Sequence, residues 1–460
     1  EMQRSLVGSE MCIRDSDMVG LLPEDGIRTI MAGCQKFLDM GGKAGEYPLA
    51  LFRRLTEKLG YTLKEVKDRI YSIPTSSIAY EFTRRFYETL GLNTQNIARG
   101  FNAYDLLKIK DEKGEMDYEK AASMLQQSKP FETITLAEAK EEGADTVEFG
   151  AVVGNPPYQE RDGGYGSSSM PVYHHFVQIA KASQPRLLSL IIPARWYIGG
   201  RGLESFRKSM LVDDHISKLF DYPHDKDVFP SVDVAGGICY FLRDILYKGN
   251  CTVVGYNNGR ISTSKRSLDE FPTFVRDNKA VGIVRKVLSK HTGSFMDKVV
   301  YPSRPFGLRT YYKPKDKGIP CQFIQKIGLR FADPSDVKDD SKILHKWKFL
   351  VPKAPIAGQT DFTKQVRFYY KGNTFIAEPG CCCTESFLVA YAADTKEEIK
   401  CFESYLFTRV VRFLLLQSVI SQDVVADKWK FIPHLGRYTE EYTDDCLLYT
   451  SPSPRDYAAS

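Results

Sequence analysis

The sequence predicts a doubly wound α/β fold between Lys36 and Leu242, followed by a second, less regular region. Three observations carry this prediction. Short apolar runs alternate with amphipathic helical stretches, the pattern of strands joined by crossover helices. The first run opens into a glycine-rich turn, Gly41 to Pro48, and then a helix, which is how such folds cradle a nucleotide-like ligand. A later run, Glu148 to Gly154, stops at Asn155-Pro156-Pro157-Tyr158, a rigid polar turn at a strand end.

In chain order, Lys36 to Met40 reads as the first strand, and its helix spans about Leu49 to Leu59. Arg69 to Ile73 is the next strand; it runs into Pro74-Thr75-Ser76-Ser77, and a helix follows from Ile78 to Leu90. Asn96 to Ile109 reads as a third strand leading to Asp105. Residues 110–143 are charged and read as a solvated insertion, with a helix near Tyr118 to Gln127. Past the double proline, Gln159 to Ser169 is rich in Gly and Ser, which suits either a loop closing over a substrate or a plain connector. Pro171 to Ala182 is amphipathic, and its His174 and His175 read as surface and packing residues. Leu187 to Pro193, Ile216 to Tyr222 and Gly237 to Leu242 are strands, with a helix over Leu203 to Leu211. The character changes at Tyr247 to Asn250, the expected domain boundary. Beyond it, Glu385 to Val425 reads as helical, with an apolar stripe from Phe402 to Ile420.

The double-proline turn carries the most chemistry. Two prolines supply no backbone N–H, so carbonyls are left with no ladder to join. An Asn amide, a prolyl carbonyl and an aromatic ring are thereby gathered where open α/β sheets bind ligands. That set suits methylation of a planar amine, such as the exocyclic N6 of adenine. The amine is a poor nucleophile because its lone pair is delocalised into the ring. Acceptors on its two hydrogens, the Asn155 side-chain oxygen and the Pro156 carbonyl, favour the tetrahedral nitrogen that attacks an electrophilic methyl group. Pro157 holds the turn. Tyr158 can stack on a base extruded from a duplex, worth about 1–3 kcal/mol.

Asn-Pro-Pro-Tyr after a hydrophobic strand resembles bacterial DNA adenine methyltransferases of restriction–modification systems. PRLLSLIIPARWY from Pro185 and DVFPSVDVAGGICYFLRD from Asp227 look like the later strands of type II enzymes that fuse methylation with target recognition. The resemblance covers about residues 17 to 445. It implies a Rossmann-like S-adenosylmethionine-dependent methyltransferase domain over 17–247 and a mixed α/β DNA-recognition region over 250–445. It further implies a cofactor loop close to Asp-Pro-x-x-Gly-x-Gly-x-Phe. Asp39, Gly45 and Tyr47 match its Asp, second Gly and Phe, and Asp39, Gly41, Gly45 and Asp105 are the implied cofactor residues. Two departures stand out: Lys43 replaces the first Gly, and no acidic residue ends the strand before Pro74. The implied partners are double-stranded DNA with a flipped adenine, and an endonuclease domain or subunit outside this chain. Residues 1–16 and 446–460 look like translated sequencing-library adapter, so the gene product is expected to be a fragment.

Composition sets the remaining bounds. The 460 residues suffice for two or three domains, and 43% hydrophobic with 26% charged residues is ordinary for a soluble globular chain. No run of 18 apolar residues predicts a membrane span. Ten cysteines without CxxC pairs suit a reducing cytoplasm, and the adjacent Cys381, Cys382 and Cys383 cannot readily converge on one ion. Tyr301 to Lys371 holds 15 Lys and Arg against 6 Asp and Glu, interleaved with aromatics, which suits a phosphate-bearing partner. Within that stretch Lys346, Lys348 and Lys353 are expected to face phosphates. Two other readings fit the motif: methylation of protein glutamine side chains, and a non-catalytic DNA-binding protein with a degenerate cofactor pocket.

Overall fold

A computed structural model describes residues 10–126, 147–160, 170–197, 202–229, 234, 236–257, 259–324, 326–355, 368–419 and 423–444. The chain divides into two units, Glu1–Phe274 and Val275–Ser460.

The N-terminal unit contains β1 (Lys36–Gly42), β2 (Ile70–Pro74), β3 (Phe149–Gly154), β4 (Leu187–Pro193), β5 (Ile216–Tyr222), β6 (Ile238–Asp244), β7 (Cys251–Asn257) and β8 (Arg260–Arg266). They form one sheet of eight strands in the order β2-β1-β3-β4-β6-β5-β7-β8. β1 lies parallel to β2 and β3, and β3 parallel to β4, whereas β6 is antiparallel to both its neighbours. β3 and β4 are buried along their whole length, as strands covered on both faces must be. At the far edge β8 reads RISTSKR and is largely exposed, a polar edge that discourages pairing with other chains.

Helices supply the cover. Ser77–Leu90 starts where the Ser76 side chain accepts from the Ala79 backbone N–H, buries Tyr80 and Tyr87, and stops at Gly91 in the left-handed region. Tyr173–Ala182 buries Phe176, Val177 and Ile179. The apolar seams join one core that runs from Met18 and Ile30 through Phe37, Leu51 and Val153 to Leu187 and Tyr240. Because the chain steps from β1 to β2 on one side and returns to β3 on the other, the order reverses at the β1–β3 crevice. Ligands of open α/β sheets bind outside such a reversal, at the carboxyl ends of the strands.

Three expectations need correction. The break at Tyr247 to Asn250 falls inside the sheet, because β7 pairs parallel with β5 and continues into β8; the division lies at Phe274. The stretch from Asn96 forms no strand. Ile97 makes a single parallel bridge to Ser72, and Asn102 then caps a short helix, Ala103–Leu106. The third concerns Glu385 onward, where Phe387–Ala393 is a strand and helices begin only at Lys396. A seven-residue apolar run suits either state, and cross-strand pairing decides it.

The C-terminal unit has β9 (Ile319–Gln322), β10 (Leu329–Ala332), β11 (Trp347–Pro352), β12 (Phe375–Ala377), β13 (Cys382–Cys383) and β14 (Phe387–Ala393). They make two sheets of three, β10-β9-β13 and β12-β11-β14. Phe306, Cys321, Phe323, Leu350 and Val389 share one core, and helices Lys396–Phe407 and Arg409–Leu416 each begin with a threonine cap. Residues 161–169, 446–460 and most of 1–16, on which the loop and adapter expectations rest, lie outside the described residues.

Candidate active site

The Asn-Pro-Pro-Tyr turn sits at the reversal point. Asp39 of β1 pairs in register with Val153 of β3, so Gly41 lies level with Asn155. The two strand ends touch backbone to backbone through glycines. A Cβ on Gly41 (φ +93°) would stand 2.8 Å from the Pro156 Cα, and one on Gly154 (φ +153°) only 2.3 Å from the Met40 carbonyl oxygen. Side chains at either position would force the motif away from β1.

Asn155 is 9% exposed, and its Oδ1 is buried with no hydrogen-bond partner among the described residues. A buried acceptor left unpaired costs about 1–3 kcal/mol, so it is informative when it lies in a crevice. Tyr158 is half-buried, its hydroxyl is enclosed without a partner among the described residues, and its ring meets Tyr173 edge-on at 6.5 Å. Burial holds its phenol well above the ordinary range, so it stays neutral. Val172 N–H donates to the Tyr158 carbonyl at 3.1 Å, which ties the turn to the following helix.

Asp39 is fully buried beside this turn. Ser72, directly across the β1–β2 ladder, donates to its Oδ2 at 2.7 Å, while Oδ1 has no partner among the described residues. Burial drives its carboxyl well above the usual range; the Ser72 bond opposes this, and Glu46 and Asp15 add to it. Asp15, also buried, is pushed up to about 7, by burial first and by Glu46 second. Ala44 N–H donates to the Glu46 carboxylate at 3.0 Å, closing the loop onto the start of helix Glu46–Arg53. Three carboxyl groups thus gather under one loop.

The other expected cofactor residues fare differently. Gly45 is left-handed (φ +86°), and its open side is filled by the Phe86 ring, 3.2 Å from a notional Cβ. Lys43 is exposed and is not among the described residues with positive φ, so the family's first glycine is not demanded by backbone conformation here. Ser76, one of the hydroxyls beside Pro74, is spent as a helix cap. Asp105 has both oxygens engaged: one accepts from Asn102 N–H at 2.9 Å in a capping box, the other from Lys108 Nζ at 2.7 Å. Sequence reasoning missed Ser72, Glu46 and Asp15. Only Ser72 had a signal, a lone polar residue inside an apolar strand.

The lysine expectation also needs correction. Lys348 is fully buried, and its Nζ donates to the carbonyls of Ile343, Leu344, Lys346 and Glu378. Burial lowers that ammonium to about 8. Lys346 lies 3.4 Å from Asp394, and Lys353 lies 3.5 Å from Glu385. Cys382 and Cys383 are buried in β13, and no set of three or more metal-ligating side chains converges among the described residues.

Residues 68–229, which include the whole turn, match the family described as Eco57I restriction-modification methylase. That stretch is similar to this family of methylases, and the match covers about a third of the chain. An uncharacterized adenine-specific methylase of Mycoplasma pneumoniae is 31% identical over 110 residues, which is 23% of this chain and 26% of that protein. Among solved structures, a nuclease-deletion mutant of the Type ISP restriction-modification enzyme LlaGI, bound to a DNA substrate mimic, aligns with 93% of this chain and 52% of its own. Its TM-score is 0.50 at 11% identity, a likeness of fold. The type IIG restriction endonuclease BpuSI aligns over 92% of this chain and 58% of its own, with TM-score 0.38 and 12% identity. The chain therefore spans about a quarter of the curated methylase and just over half of these two enzymes. No helix among the described residues is long and apolar enough to cross a membrane.

Proposed function

We propose that this methylase transfers a methyl group from S-adenosylmethionine to the N6 amine of adenine in a specific duplex sequence. The observation that carries the proposal is the buried Asn155 Oδ1, unpaired among the described residues, in the turn that packs on Gly41 at the β1–β3 reversal. Asn155 Oδ1, with the Pro156 carbonyl as second acceptor, would stabilise the positive charge that develops on nitrogen during attack. They need no reorganisation, because glycines lock the turn against β1. Tyr158 supplies a flat face on which an extruded base can stack, while Tyr173 props its edge.

The crevice suits the cofactor on two counts. Asp39 Oδ1 is a buried acceptor without a partner among the described residues, matched to a ligand that carries hydroxyl and amine donors. The close approach at Gly41 leaves no side chain between the loop and the motif. When bound, S-adenosylmethionine supplies the electrophilic methyl group. Asp39, Gly41 and Gly45 are the residues proposed to hold it; Asp105 is left out because both its oxygens are committed. The C-terminal unit would position the duplex, the work would take place in the cytoplasm, and any endonuclease would be supplied outside this chain.

The test is transfer of labelled methyl groups to adenine-unmethylated duplex DNA. Asn155→Ala should abolish N6-methyladenine formation while S-adenosylmethionine binding, followed by calorimetry, stays within a few-fold. Turnover within a few-fold of the parent would sink the assignment.

A further inference from the structure

The basic stretch from Tyr301 to Lys371 contains two kinds of cation. Lys346, Lys348 and Lys353 are tied to acids or carbonyls. Around β9 and β10 the arrangement is different. Lys313, Lys315, Lys317, Lys326 and Arg330 are all exposed, and Asp316 is the only acid between residues 313 and 330.

Large apolar side chains are exposed at the same place. Tyr311 is 82% exposed, Leu329 56% and Phe331 37%. β10 is the edge strand of its sheet, and its first three residues all face solvent. The lysine run is held against that edge: Lys315 N–H donates to the Phe331 carbonyl at 2.9 Å. Gly318 (φ +136°) then brings the chain so close that a Cβ would stand 2.2 Å from the Ala332 carbonyl oxygen. From below, Cys321 and Phe323 anchor the hairpin in the core with Cys382 and Cys383. Leu329 and Phe331 share one face of this ribbon with Gln322 and Pro320, whereas Arg330 stands on the other face beside Cys321, exposed at the edge next to the lysine run.

We infer that this hairpin and its lysine run read the duplex. Lys313, Lys315, Lys317 and Lys326 would sit on phosphates, and Arg330, exposed on the edge strand, would reach a base edge. Charge complementarity commits the surface to nucleic acid, and the inference rests on the proposed DNA-methylating function. A two-stranded ribbon fits a major groove about 12 Å wide, where Arg pairs bidentately with guanine. Phosphate contacts set register, while base contacts set sequence.

The experiment has two arms, using the full chain. In the first, the parent and Arg330→Ala are expressed in cells lacking adenine methylation, and N6-methyladenine is mapped by single-molecule sequencing. Arg330→Ala should relax the recognised sequence at one base pair by about tenfold or more. In the second, binding of adenine-unmethylated duplex is titrated across salt for the parent and for Lys313→Ala/Lys315→Ala/Lys317→Ala. The triple variant should bind every sequence more weakly, and its slope of log affinity against log salt should flatten by about 0.9 for each phosphate no longer neutralised. An unaltered methylated sequence together with an unaltered slope overturns the inference. If the parent makes no N6-methyladenine, the proposed function fails instead, and the slope still decides the hairpin. Dimerisation that Leu329→Ala/Phe331→Ala abolishes, with DNA binding unchanged, would assign the edge to a second copy and also overturn it.

Discussion

Replacing Gly154 by Ala tests whether the close glycine packing holds the motif in its working position. Gly154 precedes Asn155, and its φ of +153° is one that L side chains rarely adopt. The new methyl carbon would begin 2.3 Å from the Met40 carbonyl oxygen and must retreat to at least 3.0 Å, a shift of about 0.7 Å. Neither side can yield cheaply, because both are backbone in adjacent buried strands. The strained backbone costs about 1–3 kcal/mol, and overpacking about as much again. The fold should survive, but Asn155 and Pro156 should move by most of an ångström. Misplacement on that scale lowers turnover by about 100-fold. The assay is single-turnover methyl transfer at saturating DNA and cofactor, with thermal unfolding measured in parallel. Gly249→Ala is the matched control: its φ is +148°, but the nearest atom to a new Cβ is the Tyr247 side-chain oxygen at 3.5 Å. It should lose stability and keep its rate. A folded Gly154→Ala enzyme with parental turnover would refute the reasoning.

Other consequences follow from the same crevice. Tyr158→Phe should keep turnover and lose no stability, since the hydroxyl it removes is buried without a partner among the described residues, whereas Tyr158→Ala should weaken base capture by about 1–3 kcal/mol. Equal damage in a base-analogue fluorescence titration would mean that the hydroxyl, not the ring, matters. Asp15→Asn should flatten the pH dependence of stability. The folded carboxyl titrates near 7 against an ordinary 3.8, so the folded state holds a proton that the unfolded state releases. Parent stability from this group is therefore full below 3.8 and is lost as pH rises through about 7, by at most about 4 kcal/mol. Urea unfolding at pH 4 and pH 8 should show the variant's advantage at pH 8 alone; the same difference at both values would remove Asp15 from the account.

Much of the N-terminal unit was legible from local pattern. β1, β3, β4 and β5 are short apolar runs bounded by Gly, Pro or Asn, and their periodicity is a property of the chain itself. The same holds for the Asn-Pro-Pro-Tyr turn, because two prolines end a strand whatever surrounds them. Tertiary pairing decided the rest. Cys251–Asn257 has no feature that assigns it to either unit until β5 offers it an edge, and Phe387–Ala393 is a strand only because β11 lies beside it. The burial of Lys348 is likewise invisible in a run of lysines, since three carbonyls of the turn before it and the remote Glu378 carbonyl must first converge on one ammonium. Asp105 shows the limit from the other direction: a carboxylate three residues after an Asn suits a helix cap and a ligand contact equally well, and folding committed it to the cap. Sequence determined which residue types stand at the strand ends. Packing determined which of their polar atoms are left without a partner among the described residues, and in this chain those orphaned acceptors mark the site.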